Sequence, residues 1–389
     1  MRGALFIAIR HIRANLLQSA ILIACFALTA GLPLATNLLL DRYEQSLRQR
    51  AVDTPLVMGA RGSRFDLVLT TTHFRRAPVP QVRFGVIDEI NAMRLGIAIP
   101  MNTEYSARGH PVVGTSPEYR ELRRLRVAAG TWPLALGEAV LGASVAAREK
   151  LDVGDTIYSD QMEAFDISRP PAIRLRVVGV LERAGTPDDD AVIVDIATSW
   201  LLSGIIHGHD NPREIRDTRM ILQRDGSHVA VSGAMIEYNE VTEETVAAYH
   251  LHANPKDLPL TSVIVVPRDA KSATILSTQV NLSRTEQMVV PSRVIDELLS
   301  YVLRIKSVID AVSVVLIVVS VFLMGLIVMF SVRSREREWL TMHRIGCDRF
   351  FVPMTFGLEI ASLVAAGLLL AVVCAAGLAL RAPDIIALL

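Results

Sequence analysis

Two short histidine pairs are the first residues in this chain whose spacing could do chemistry. His207-Gly-His209 is followed directly by Asp210, and His250-Leu-His252 repeats the alternation further on. Imidazoles at i and i+2 beside a carboxylate can supply two or three ligands of the kind Zn2+ takes. His207, His209 and Asp210 are therefore the candidate metal ligands. Neither pair alone completes a four-ligand set, and a solvated polar loop is the competing reading.

Glu359 is the second candidate. It is the one charge in the 30 residues Phe351–Leu380, and a carboxylate inside an apolar helix is by default a functional group. Lying about two turns in, it can instead pair with an Arg such as Arg349 or reach the lipid headgroups. The third candidate is the stretch from Arg333 to Arg349, which is short, basic and helix-competent, with Gly346 placed to end the helix. Trp339, Met342 and His343 fall near one face with Leu340 beside them. Such a helix suits docking in the groove of a soluble partner; a plain basic anchor is the alternative.

Other chemistry is missing. There is no G-x-x-x-x-G-K-[ST], no H-E-x-x-H and no G-x-S-x-G, so neither a P-loop ATPase nor the common hydrolase motifs are present. Gly59-Ala-Arg-Gly-Ser63 is Gly-rich but reads as a turn, and an enzymatic role for this chain is not expected.

The elements that must position these groups follow from hydropathy. Ala14–Leu40 (27 residues) and Ala311–Val332 (22 residues) carry no charge, and Phe351–Leu380 carries only Glu359. A bilayer core needs about 20 apolar helical residues, so all three read as transmembrane helices. The first is too long for the apolar region of a cleaved signal peptide. Residues 1–15 hold Arg2, Arg10 and Arg13 with no acid. Residues 332–350 hold Arg333, Arg335, Arg337, Arg344 and Arg349 against Glu336, Glu338 and Asp348. The positive-inside rule makes both flanks cytoplasmic, placing residues 41 to about 305 outside and, with three spans, the C-terminus outside as well.

Composition agrees. Of 389 residues, 51% are hydrophobic, and 40 basic residues balance 40 acidic ones. That excludes a disordered chain and gives no excess charge for a nucleic-acid partner. The zero sum conceals an asymmetry: both cytoplasmic flanks are basic, while residues 16–305 carry 30 basic against 34 acidic residues. Cys25 and Cys374 fall in spans and Cys347 in the basic loop, so the external region has no disulfide framework. It must rest on an ordinary core.

That external region reads as α/β. Phe65–Leu69, Ile173–Val180, Ala191–Ile196 and Ser262–Val266 read as strands. Val86–Met93, Ser144–Lys150 and Ala270–Asn281 read as helices, Asp152–Asp155 as a turn, and residues 204–217 and 252–260 as loops. From Ser292 to Met324 no Pro or Gly interrupts a helical pattern, which predicts one long helix running into the second span, as a lever or a passive stalk. The fold class is thus an α-helical membrane protein of three transmembrane helices with a large α/β extracytoplasmic domain between the first and second. The segments are 1–15 (amphipathic N-terminus), 16–40 (span), 41–305 (external domain), 306–332 (span), 333–350 (cytoplasmic loop), 351–380 (span) and 381–389 (tail). The last span also carries small residues at four-residue steps, Gly357, Ala361 and Ala365 and then Gly367, Ala371 and Ala375, suited to close helix packing within the chain or to another subunit.

The loop and third span resemble the C-terminal region of permeases in the MacB/FtsX/LolC family of ABC transporters. Glu338, His343, Gly346, Arg349 and Glu359 stand at that family's acid, base, glycine, base and acid positions, with His343 in place of the usual Arg. Gly59-Ala-Arg-Gly-Ser-Arg-Phe-Asp-Leu-Val-Leu69 resembles the start of the family's periplasmic core. Glu138-Ala-Val-Leu-Gly142 with Leu151-Asp-Val-Gly-Asp155 resembles its middle, and Val177-Val-Gly-Val180 and the run near Ala191 follow in order. The family usually has a fourth span, which has no counterpart before Leu389.

The resemblance implies a multi-pass protein of the bacterial inner membrane with its large domain in the periplasm, built near the membrane from both ends of 41–305 with a part inserted at about 117–250. It implies that the coupling loop sits on a separate cytoplasmic ABC ATPase through Glu338, Trp339, Leu340, Met342, His343, Arg344, Gly346 and Arg349. The ATP and Mg2+ would belong to that ATPase, and this chain would hold no cofactor beyond the Zn2+ candidate. A second permease copy or paralogue, a periplasmic adaptor or lipoprotein, and membrane lipid are the other partners implied; nucleic acid is not one. Export or extraction of a substrate, mechanical regulation of cell-wall hydrolases, and metal handling by the external domain are the readings left open.

Overall fold

The computed structural model describes residues 2–161, 172–209, 221–225, 228–231, 238–334, 341, 344, 346 and 350–380. The chain divides into two units, residues 47–298 and residues 1–46 with 299–389.

The second of these is helical. Arg2–Ala14 forms an N-terminal helix, a turn at Asn15 separates it from Leu16–Val52, and Pro291–Ser334 and Phe351–Leu380 complete the set. Among the described residues three helices are long and apolar enough to cross a membrane, within Leu16–Val52, Pro291–Leu323 and Met354–Leu378. Large apolar side chains stand exposed along them, Leu28 at 72%, Val314 at 60% and Leu369 at 67%, which in water would be a contiguous liability and in lipid is not. Pro33 is carried inside the first long helix, and Asn37 Nδ2 donates to the Pro33 carbonyl at 3.0 Å.

The 47–298 unit is built on one mixed sheet. Its strands run in the order Glu286–Val289, Leu56–Ala60, Ser262–Pro267, Gly96–Asn102, His110–Thr115, Val192–Asp195, Glu138–Leu141, Arg174–Leu181 and Val127–Gly130. Most neighbours are antiparallel. The pairs His110–Thr115 with Val192–Asp195 and Glu138–Leu141 with Arg174–Leu181 are parallel. Both faces are covered. Val263 and Val265 pack with Leu56, Met58, Ile90, Trp200 and Leu276, while Ile264 between them packs with Ile99, Met101, Val113 and Tyr119. Val192 and Val194 likewise face Leu141, Val145 and Leu175, and Ile193 faces the other side. A strand buried on both faces reads as an unbroken apolar run, and Ala191–Val194 and Val263–Val266 are such runs.

Helices Val86–Ala92, Ala143–Glu149 and Ala270–Asn281 and strand Arg174–Leu181 form where the periodicity places them. Phe65–Leu69 does not form a strand. It lies in the helix Arg64–His73, started by Ser63, whose Oγ accepts from the Asp66 amide at 3.2 Å. Leu67 through Thr72 are all buried there, so no polar face marks the helical period. The strand is the preceding Leu56–Ala60. The segment expected as loop after 204 also holds a strand, Ile206–Gly208, paired with Tyr249–Leu251.

Candidate functional site

That two-stranded ladder brings the histidine pairs together. Its register sets His207 opposite His250. Because alternate residues of a strand share a face, His209 and His252 fall to either side of this central pair. The ring centroids lie 4.8 Å apart for His207 and His250, 4.7 Å for His209 and His250, 5.7 Å for His207 and His209, and 4.7 Å for His250 and His252. One ring nitrogen from each of His207, His209 and His250 lies within 4.8 Å of the others. The local chain explains the placement. Trp200 is anchored by its Nε1 donating to the Pro259 carbonyl at 2.9 Å, which fixes the helix Ile196–Leu202 just before the strand. Gly208 leaves room for the Tyr249 ring, which a Cβ would meet at 2.9 Å. The Tyr249 hydroxyl donates to the Glu240 carbonyl at 3.0 Å.

Two of the rings have their orientation set by backbone. His207 Nδ1 lies 3.2 Å from the Gly204 carbonyl and His250 Nδ1 lies 2.8 Å from that of Ala248. A carbonyl only accepts, so each Nδ1 carries the proton and each Nε2 keeps its lone pair. The His252 imidazole is held below its ordinary pKa, by desolvation first and then by His250, His207 and His209. Asp210, the carboxylate expected beside them, lies outside the described residues.

A second polar cluster, unmarked by any motif, is buried in the same unit. The Arg50 guanidinium meets Asp188 through both Nη atoms, donates from Nε to the Thr72 carbonyl at 3.1 Å, and reaches the Tyr119 hydroxyl at 2.9 Å. Tyr119 in turn donates to Asp188 Oδ1 at 2.6 Å and Thr186 to Oδ2 at 2.9 Å. Burial alone would raise the Asp188 carboxyl, but Arg50 holds it below the usual carboxylate range. Burial pushes the Tyr119 phenol up to about 12. Next to them His73 is lowered to about 4, by burial first and then by the charges of Arg50 and Arg123. The one sequence cue was a basic residue in the last turn of a long helix, a common and uninformative feature.

The Gly-rich segment is structural. Arg61 donates from Nη2 to the carbonyls of Asn281 and Ser283 at 2.8 and 2.7 Å, holding the end of the helix Ala270–Asn281. There a cation also suits the helix dipole.

In the helical unit Glu359 has a partner the sequence did not single out. Its Oε1 lies 2.7 Å from His11 Nδ1, and Asn15 Nδ2 lies 2.7 Å from His11 Nε2. With the Asn15 amide donating to Nε2, the ring proton sits on Nδ1 and is donated to Glu359. Of the two small-residue rows, Gly367, Ala371 and Ala375 are buried, with Gly367 against Ile23 and Phe26 and Ala371 against Gly31 of the first long helix. Gly357, Ala361 and Ala365 are exposed. In the loop, Arg344 and Gly346 are exposed and Gly346 has φ +93. Glu338, Trp339, Leu340, Met342, His343 and Arg349 lie outside the described residues.

Residues 20–237 match the MacB-like periplasmic core domain family. The chain belongs to this family. It is a permease of the MacB/FtsX type, a membrane protein with an extracytoplasmic α/β domain. The family match takes in His207 and His209 and ends before His250 and His252. Among solved structures, this MacB-like chain is similar to the periplasmic region of MacB from Actinobacillus actinomycetemcomitans, at 12% identity and a TM-score of 0.35 over 64% of this chain and 92% of that one. It is also similar to the extracellular domain of the noncanonic ABC-type transporter YknZ from Gram-positive bacteria, at 9% identity and a TM-score of 0.33 over 60% and 98%. No curated protein matches.

Proposed function

We propose that this chain is the membrane subunit of an ABC transporter complex, coupling ATP hydrolysis in a separate cytoplasmic ATPase to movement of its extracytoplasmic domain, for export or extraction of a substrate. The family match over residues 20–237 carries this reading. Three features support it. The basic residues flanking the apolar helices give both short flanks a cytoplasmic address. The loop between the second and third apolar helices is short, exposed at Arg344 and Gly346, and carries at Gly346 a φ of +93. The helix Pro291–Ser334 has an unbroken backbone, as a lever reading requires. In this reading 334–349 is the coupling loop, ATP and Mg2+ belong to the partner, and a second copy or paralogue completes the assembly in the bacterial inner membrane.

Co-purification of the full chain from its native membrane tests this. An ABC ATPase, identified by its P-loop peptides, is expected in near-equal amount. Gly346→Val, which forces a β-branched residue into positive φ, and Arg344→Glu are expected to lose most of it without loss of the permease from the membrane. An ATPase retained equally by both variants removes the coupling-loop assignment, and absence of any ATPase removes the transporter reading.

A further inference from the structure

We propose that His207, His209 and His250 form a Zn2+ site, with His252 placed to complete it as fourth ligand. Sequence order separates the two pairs, and the antiparallel register of Ile206–Gly208 with Tyr249–Leu251 makes them one surface. The donor set is chemically specific. Imidazole nitrogens select Zn2+ and its first-row neighbours, whereas Mg2+ and Ca2+ demand oxygen ligands.

The rings are prepared for a metal. His207 and His250 each commit Nδ1–H to a backbone carbonyl. That outer hydrogen bond fixes the tautomer, orients the ring and leaves Nε2 with the lone pair a metal needs. His207, His209 and His250 are all half-buried, so an ion there is partly withdrawn from water. Nitrogens about 2.0 Å from a tetrahedral Zn2+ stand about 3.3 Å apart. The three now spread to at most 4.8 Å, so taking up the ion draws the nitrogens together by up to about 1.5 Å. His252, with its ring centroid 5.3 Å from His207 and 4.7 Å from His250, approaches the same central pair from the other side. Bound there, Zn2+ staples the strand Ile206–Gly208 to the strand Tyr249–Leu251.

The site stands independently of the transport reading, because it is built wholly within residues 47–298. The test uses the full chain in detergent, carried on a histidine-free affinity tag, stripped with a chelator and titrated with Zn2+ against a chromophoric competitor. The wild type is expected to take up about one Zn2+ per chain at micromolar or lower concentration, and Co2+ in its place to give the visible d–d bands of a four-coordinate imidazole site. His207→Ala with His250→Ala is expected to abolish both signals, and His209→Ala and His252→Ala each to weaken binding at least about tenfold. His110→Ala, whose ring pairs instead with Glu149, is expected to bind as wild type. Zn2+ should raise the unfolding temperature of the wild type and not of the double variant, while the metal-free proteins unfold alike. Equal Zn2+ uptake by wild type and double variant, or no uptake by wild type at micromolar Zn2+, overturns the assignment. ATPase co-purification, measured on the same variants, is unaffected in either case.

Discussion

Asp188 receives the Arg50 guanidinium on both carboxylate oxygens, at 2.7 and 2.9 Å, where neither side chain is more than 6% exposed. A fork of this kind satisfies charge and geometry together, and Tyr119 and Thr186 take up the remaining acceptor capacity of the carboxylate. Arg50 lies in the last turn of the helix Leu16–Val52, and both partners belong to the 47–298 unit, so the pair ties residue 50 to the segment Pro187–Asp190 within that unit.

The pair is expected to behave as a buried unit. Arg50→Met leaves the Asp188 charge without its partner and should cost about 3–5 kcal/mol of domain stability. Asp188→Leu should cost a similar amount for the opposite reason. The double variant Arg50→Met/Asp188→Leu should recover much of the loss, since no unpaired charge remains. Thermal unfolding of the full chain in detergent, followed by the fluorescence of the buried Trp132 and Trp200, gives the cycle. Additive losses would show that the two residues do not act together.

The same core predicts an acid response. Thr72 Oγ1 spends its proton on the Val68 carbonyl and so accepts from His73 Nδ1, leaving His73 Nε2 buried without a hydrogen-bond partner among the described residues. With its pKa lowered from 6.5 to about 4, His73 is neutral in the fold while the unfolded chain takes up a proton. Stability should therefore fall as pH drops from about 6.5 to about 4, by up to about 3 kcal/mol, and this contribution should level off below. Asp188 acts in the same sense at lower pH: its stabilisation is lost as pH falls through its depressed folded value. Comparing wild type with His73→Gln between pH 7 and 4.5 isolates the histidine, since every other group is common to both. Parallel pH profiles would remove His73 as the source.

What the sequence could not show is contact between distant residues. Ala14–Leu40 and Ala311–Val332 announce themselves because a charge-free run has one physical explanation at that length. The doubly buried strands Val192–Asp195 and Ser262–Pro267 are legible for a related reason. The helix Arg64–His73 was not, because burial on nearly every side erases the period that distinguishes helix from strand. The histidine pairs could be seen and their union could not. Strand register is a property of two segments, and nothing local to 207 points to 250. Arg50 and Asp188, 138 positions apart, leave still less trace, since an arginine ending a helix is ordinary until its partner is in place.

Glu359, which the sequence leaves as a functional intramembrane carboxylate or as one paired near the headgroups, accepts from His11. This contact ties the N-terminal helix Arg2–Ala14 to the third apolar helix. His11→Ala leaves the carboxylate in an apolar setting without that donor and should cost about 2 kcal/mol, roughly a factor of thirty in the undocked fraction. Trypsin should then cut after Arg10 and Arg13 correspondingly faster in detergent-solubilised protein. His11→Gln, which keeps a donor, should fall between the two. Unchanged cleavage in His11→Ala would mean that the helix is held by other contacts.

The two small-residue rows of Phe351–Leu380 make opposite predictions for the same substitution. At Gly367 a Cβ would stand 2.5 Å from Phe26 Cβ and 3.1 Å from the Ile23 carbonyl, so the helices can approach only because that Cβ is missing. In a membrane such packing is itself a main source of helix association. Gly367→Leu should therefore force the helices apart and cost about 1–3 kcal/mol, with Gly367→Ala smaller in the same direction. Gly357 has nothing within 4 Å of its Cβ position and is exposed. Gly357→Leu should leave the isolated chain as stable as wild type, or slightly more so through the better helix propensity of leucine. Thermal stability in detergent, read as the fraction remaining monodisperse on size exclusion after heating, separates the rows. An equal loss from both substitutions would mean that helix packing within the chain does not distinguish Gly367 from Gly357.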